Sequence, residues 1–193
     1  MSSSRPGIDI ALADGTPVWV RPVVASDRGL LREGIRAMSR TTRYLRFFTA
    51  GEMSEENARY FTEIDQETHV AFCGVAPDNL RGYGIARFIR DADSPETAEF
   101  AVAVIDEIQG RGLGTILLAS IYVIAQRTGI REFRGEMLPD NPVMPIWMPQ
   151  LGADILEISD IQIIRWPIVD AIPTDTPTAR RFMDWVRRMR AGQ

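Results

Sequence analysis

The chain has 193 residues, 45% hydrophobic and 25% charged, with a net charge of −4, which describes one globular domain and argues against nonspecific nucleic-acid binding. Its longest clean apolar run, Ile116–Ala125, is too short for a bilayer, which needs about 20 residues, so no membrane partner is expected. Met1 to Pro6 lacks the apolar segment of a secretory signal, and the single Cys73 excludes an internal disulfide, so a cytoplasmic protein is expected.

In chain order, Ile8–Leu12 and Val18–Arg21 read as a hairpin closed by Asp14-Gly15, which supplies the positive φ angles of a tight turn. Ser26-Asp27 caps a helix running to about Met38, and Ser54 opens a second through Phe61. Val70–Val75, Tyr83–Ile89 and Glu96–Ile105 read as strands. A helix from Gly112 to Thr128 is apolar on nearly every face and should be buried. Arg131–Met137 is a further strand, and Ala153–Ile158 and Ile161–Trp166 finish the sheet. After a linker, Thr178–Arg190 is an amphipathic helix with Phe182, Trp185, Val186 and Met189 on one side. This is a mixed α/β (α+β) chain with a largely antiparallel front half. Residues 1–170 read as the domain, and residues 171–193 as a linker and C-terminal helix.

The chemistry concentrates in Gln109-Gly110-Arg111-Gly112-Leu113-Gly114-Thr115, between a strand and a helix. Glycines let the backbone turn sharply and approach a ligand. The helix N-terminus carries about half a positive charge, so the segment suits a pyrophosphate. Arg111 adds a charge-assisted contact. No Gly-Lys-Ser/Thr follows, which excludes a Walker loop, and the spacing is wrong for a Rossmann fingerprint.

The loop matches the Gln/Arg-x-x-Gly-x-Gly/Ala pattern of GNAT acetyltransferases. Further matches are Asp14-Gly15, Val20-Arg21-Pro22, Ser39 to Phe48, Ala98-Glu99-Phe100-Ala101-Val102 and Gly135 to Asn141. Over roughly Ile8 to Trp166 the chain resembles bacterial Pat-type protein-lysine acetyltransferases. The resemblance implies a GNAT fold: a central mixed, mostly antiparallel sheet flanked by helices. It implies an acyltransferase with acetyl-CoA as cosubstrate, no metal, and a protein lysine as acceptor, the protein being a monomer or homodimer. Under that resemblance the Gln109–Thr115 loop holds the pyrophosphate. Val102, Ala103 and Val104 offer backbone groups to the pantetheine arm, and Asn141 touches the cofactor. Asn141 also reads as a helix N-cap before Pro142.

Amine acetylation needs a neutral nitrogen, and holding a lysine neutral at pH 7 costs about 4–5 kcal/mol. Glu99 is the candidate general base. On a strand it shares a face with Ala101 and Ala103, whose small side chains leave room for a substrate. The resembling enzymes place their glutamate in this strand. Should Glu99 not serve as base, water or another carboxylate would, with Glu96 and Asp106 next in line. His69 and Cys73 would lie about 13 Å apart on one strand, which excludes a nucleophile pair and a zinc site. Arg43, Tyr44 and Arg46 line an acceptor mouth or serve core and surface roles. Met148 stands where many GNAT enzymes carry a tyrosine acid, as in the Pat-type enzymes, which usually lack that tyrosine. Pro145 and Pro149 each remove a helix hydrogen bond, so Asn141–Gln150 reads as a kinked or broken helix. Two other readings stay open: a small-amine acetyltransferase, and an acyl-CoA-binding regulatory domain without turnover. All 22 basic residues are arginine; codon bias explains that, as would a lysine-modifying enzyme that has lost its own targets.

Overall fold

A computed structural model describes residues 6–48, 51, 53–158 and 160–191; Met1 to Arg5, read above for a signal segment, lie outside these. Eight strands form one sheet in the order β1-β2-β3-β4-β5-β6-β8-β7. They are β1 (Ile8–Ala11), β2 (Pro17–Pro22), β3 (His69–Val75), β4 (Gly82–Arg90), β5 (Thr97–Val104), β6 (Glu132–Met137), β7 (Asp154–Ile158) and β8 (Ile161–Pro167). Every pairing is antiparallel except β5 with β6. The helices are α1 (Arg28–Ala37), α2 (Arg40–Phe47), α3 (Glu55–Thr62), α4 (Leu113–Arg127), α5 (Met144–Gln150) and α6 (Pro177–Ala191).

Strand alternation divides the side chains between two faces. Phe72, Phe88, Phe100, Phe133 and Trp166 point to one face and pack beneath α4, whose side chains are nearly all buried. Helix α6 closes this layer, and Phe182 meets Tyr122 edge-on at 5.2 Å and Trp166 at 5.4 Å. On the other face Trp19, Ala71, Cys73 and Val75 form a smaller cluster with Leu30 of α1 and Ile64 beyond α3.

Helix α2 is a departure from the sequence expectation, which had two helices between β2 and β3. Its eight residues bury no side chain fully, so it has no clear apolar stripe. Its start is signalled instead by Ser39, whose hydroxyl accepts the Thr42 N–H at 3.1 Å. The second departure concerns the prolines: α5 forms over Met144–Gln150 without a break. Pro145 lies in the first turn, where no N–H partner is needed. Pro149 lies in the last turn, and beyond it the Leu151 and Ala153 N–H groups both return to the Met148 carbonyl, at 2.9 and 3.2 Å.

Candidate active site

The β5–β6 ladder is short. It holds only at Thr97–Glu132, Ala98–Phe133 and Glu99–Arg134. Beyond Glu99, β5 stays paired with β4 as far as Val104, and β6 stays paired with β8 as far as Met137. The sheet therefore splits between Phe100–Val104 and Gly135–Met137. At the closed end of the split the Phe100 ring lies so near Gly135 that a Cβ there would stand 2.8 Å from it.

The Ile105 N–H donates to the Tyr83 carbonyl at 2.9 Å. That bond sets the phase of the antiparallel ladder. Ala101 and Ala103 direct their backbone groups to β4, whereas Val102 and Val104 direct theirs into the split. The Val104 carbonyl is already engaged, accepting from Gln109 Nε2 at 3.0 Å. The Val102 groups face the opening.

The Gln109–Thr115 loop borders the split on the α4 face. Gly110 and Gly112 have φ of +74° and +96°, and a Cβ at either would meet nothing within 4 Å. No side chain caps the first turn of α4, so its N–H groups, including those of Leu113, Gly114 and Thr115, are oriented for an anion. The Arg111 guanidinium pairs with Asp14 at 2.5 Å, and its carbonyl accepts the Ala13 N–H at 3.2 Å. Arg111 therefore ties the β1–β2 hairpin to the loop. Hydrogen bonds from Thr16, with Arg111 assisting, hold the Asp14 carboxyl below its ordinary pKa.

Helix α5 walls the other side. A Cβ on Gly114 would lie 3.2 Å from the Trp147 ring. Asn141 Oδ1 accepts the N–H groups of Val143 and Met144, each at 3.0 Å. Its amide nitrogen donates to no described residue. Met148 is fully buried, so its position offers neither an acid nor access. Trp147 was not among the residues picked from the sequence. A lone aromatic between two prolines was its only signal.

Glu99 is exposed on the face opposite α4. It makes no ion pair with a described residue, although it lies within electrostatic reach of Arg46 and Arg87. The other candidate carboxylates are engaged. Glu96 pairs with Arg131 at 3.3 Å. Asp106 accepts from the Ser39 N–H at 2.8 Å and the Thr42 hydroxyl at 2.9 Å. Burial would raise the Asp106 pKa, but these hydrogen bonds outweigh it and hold the pKa low. Asp106 and Gln109 together fasten α2 beside the loop, with Gln109 Nε2 reaching Thr42 Oγ1 at 3.5 Å. Tyr44 is exposed, while Arg43 and Arg46 are half-buried.

Burial pushes the Cys73 thiol up to about 12, the opposite of what a nucleophile needs. Burial and the nearby Arg87 bring His69 down to about 4. Among the described residues no group of three His, Cys, Asp or Glu side chains is arranged to hold a metal ion, and no helix is long and apolar enough to cross a membrane.

A mixed sheet split between two central parallel strands, with an open helix N-terminus at one face and a carboxylate on the other, defines an acyl-transfer domain of the GNAT type. The chain belongs to the Acetyltransferase (GNAT) family, whose model matches residues 38–143. It is 31% identical over 183 residues to acetyltransferase Pat of Mycolicibacterium smegmatis, covering 93% of this chain and 54% of that protein. It is 32% identical over 127 residues to acetyltransferase PA5475 of Pseudomonas aeruginosa, covering 63% and 67%. The crystal structure of the GNAT domain of S. lividans PAT superposes with a TM-score of 0.77 at 27% identity, covering 83% of this chain and 96% of that one. The chain thus spans about half the length of the mycobacterial relative.

Proposed function

We propose that this protein transfers an acetyl group from acetyl-CoA to a primary amine, a protein lysine ε-amine, with Glu99 as general base. The observation that carries the reading is the split between β5 and β6. It joins the open N-terminus of α4 on one face to Glu99 on the other.

Acetyl-CoA supplies an acyl thioester. The α4 N–H groups and the glycine backbone suit its pyrophosphate, and the inward backbone groups of Val102 suit the amides of a pantetheine arm. The free amide of Asn141 and the Trp147 ring border the same passage. Glu99, unpaired and reachable from solvent, takes the proton from the acceptor's ammonium, directly or through water. The amine nitrogen then attacks the acyl carbon, the C–S bond breaks, and the excess proton on nitrogen passes to the departing thiolate or to solvent. The thiolate leaves with little need of an acid, because a thiol has a reference pKa near 8.5. A buried Met148 in place of an acid is consistent with that. The intact α5 removes the reason for expecting a domain without turnover. Likeness to the two acetyltransferases above supports the reaction class, and the Pat-type resemblance supports a protein acceptor.

The test is to incubate the protein with acetyl-CoA and a cell lysate, then map acetylated lysines by mass spectrometry against a Glu99→Gln control. Lysines acetylated by the wild type but not by the control are expected. Turnover of free polyamines with no protein lysine modified would overturn the protein acceptor.

A further inference from the structure

Arg87 stands on β4 opposite Ala101 and diagonal to Glu99, on the same face of the sheet. Its guanidinium lies over the Phe61 ring, 3.9 Å from the centroid, and its Nη1 is buried with no hydrogen-bond partner. Arg46, in the last turn of α2, stacks on Phe47 at 4.9 Å. Burial, with Arg87 adding and Glu99 opposing, brings Arg46 down to about 10. Arg87 is likewise lowered, first by burial, with Tyr60 and Glu99 opposing.

Arg87 thus stands diagonal to Glu99, both guanidiniums feel the Glu99 charge, and neither forms an ion pair with any described residue. Elsewhere the arginines are mostly matched, as in Arg21–Asp27, Arg32–Glu55 and Arg165–Glu132. His69 is neutral near pH 7 and adds no further positive charge. Arg46 and Arg87 are half-buried, but a buried donor left without a partner, as Arg87 Nη1 is, costs free energy, and a guanidinium has five donors in a planar fork that matches a carboxylate. Ala101, the residue opposite Arg87 and between it and the split, carries only a methyl group.

We propose that Arg46 and Arg87 form a carboxylate-binding subsite beside Glu99, so that the amine acetylated by this protein lies next to a carboxylate. The inference rests on the amine-acetylation reading and specifies its acceptor. The carboxylate belongs either to an aspartate or glutamate flanking a lysine in a polypeptide or to the α-carboxylate of a free amino acid.

The experiment is calorimetric titration of the protein saturated with CoA, using two matched pairs. One pair is the capped peptide Asp-Lys-Asp and its Asn-Lys-Asn counterpart. The other is Nα-acetyl-lysine and its amide. The acidic member of a pair should bind about ten- to a hundredfold more tightly, the range of a charge-assisted hydrogen bond. A preference in the peptide pair identifies a polypeptide source, and one confined to the second pair identifies a free amino acid. Arg87→Gln and Arg46→Gln should each abolish the preference, with circular dichroism reporting their folding. The wild-type comparison stands even where a variant misfolds. Equal binding within both pairs, or none, overturns the subsite whatever the turnover. A preference without turnover on any amine would overturn the acetyl-transfer reading and leave the subsite standing.

Discussion

Replacing Gly112 with valine separates the loop's backbone from the rest of the fold. Gly112 sits at φ +96°, and a Cβ there meets nothing within 4 Å. The substitution therefore introduces no clash with protein, only left-handed strain of about 1–2 kcal/mol. In a domain of this size that lowers Tm by about 2–8 °C. The isopropyl group would project into the open volume above α4, where the proposed pyrophosphate needs the N–H groups. Losing one charge-assisted bond of about 1.5–3 kcal/mol weakens CoA binding tenfold or more. Gly129 supplies the control. It has φ +80° with equally open surroundings, at the opposite end of α4, where the Ile130 N–H closes the helix on the Ala125 carbonyl at 2.9 Å. Gly129→Val should melt lower by a similar amount and bind CoA as the wild type does. Scanning calorimetry and titration with CoA on the three proteins give both readouts. Unchanged CoA affinity in Gly112→Val, or equal weakening in both variants, would refute the placement of the cofactor at this loop.

Glu99→Gln should lower kcat by about 10²–10⁴ while leaving CoA affinity nearly unchanged; a loss within about threefold, far below that range, would move proton removal to water or another group. Phe182→Ala should destabilise the protein by about 3–5 kcal/mol, because its fully buried ring joins α6 to Tyr122 and Trp166; a two-state melt changed by under about 1 kcal/mol would detach α6 from the main core. His69 has its pKa depressed to about 4 when folded, against about 6.5 unfolded. Between those values the unfolded chain binds the extra proton, so stability is full above about pH 6.5 and falls by up to about 3 kcal/mol toward pH 4. His69→Gln should flatten denaturation midpoints across that window, and an unaltered slope would remove His69 as the cause.

Periodicity carried the strands and α4 because those residues are buried on one face or all round, and burial is what hydrophobic patterning records. It passed over α2. Arg40–Phe47 mixes arginine, threonine and aromatic side chains, some exposed and none fully buried, and only the Ser39 cap announces it. The prolines misled for a related reason. A proline's cost depends on its place within the helix, and Pro145 and Pro149 fall in the two end turns of a seven-residue segment. The glycine loop was legible because its constraint is local to the backbone. The setting of Glu99 was not. Arg87 reads in sequence as one polar residue within the strand Gly82–Arg90, and nothing local places it diagonal to a carboxylate on the neighbouring antiparallel strand. Trp147 depends likewise on how α5 folds back over Gly114.

The split in the sheet explains why these residues belong together. Opening a sheet between two central strands strands backbone donors and acceptors, which is unfavourable unless something replaces them. Here the replacements are partial. Gln109 Nε2 takes the Val104 carbonyl, and the same side chain, with Asp106, braces α2 against the loop. At the closed end the Phe100 ring fills the space over Gly135 and stacks on Phe133 at 5.5 Å, so the opening cannot run the length of the sheet. The Val102 groups lie between those two plugs and face the opening. Under the proposed function, a thioester carried on an amide-bearing arm would complete the ladder as a strand does and emerge on the face where Glu99 lies. The structural deficit and the proposed chemistry thus have one cause.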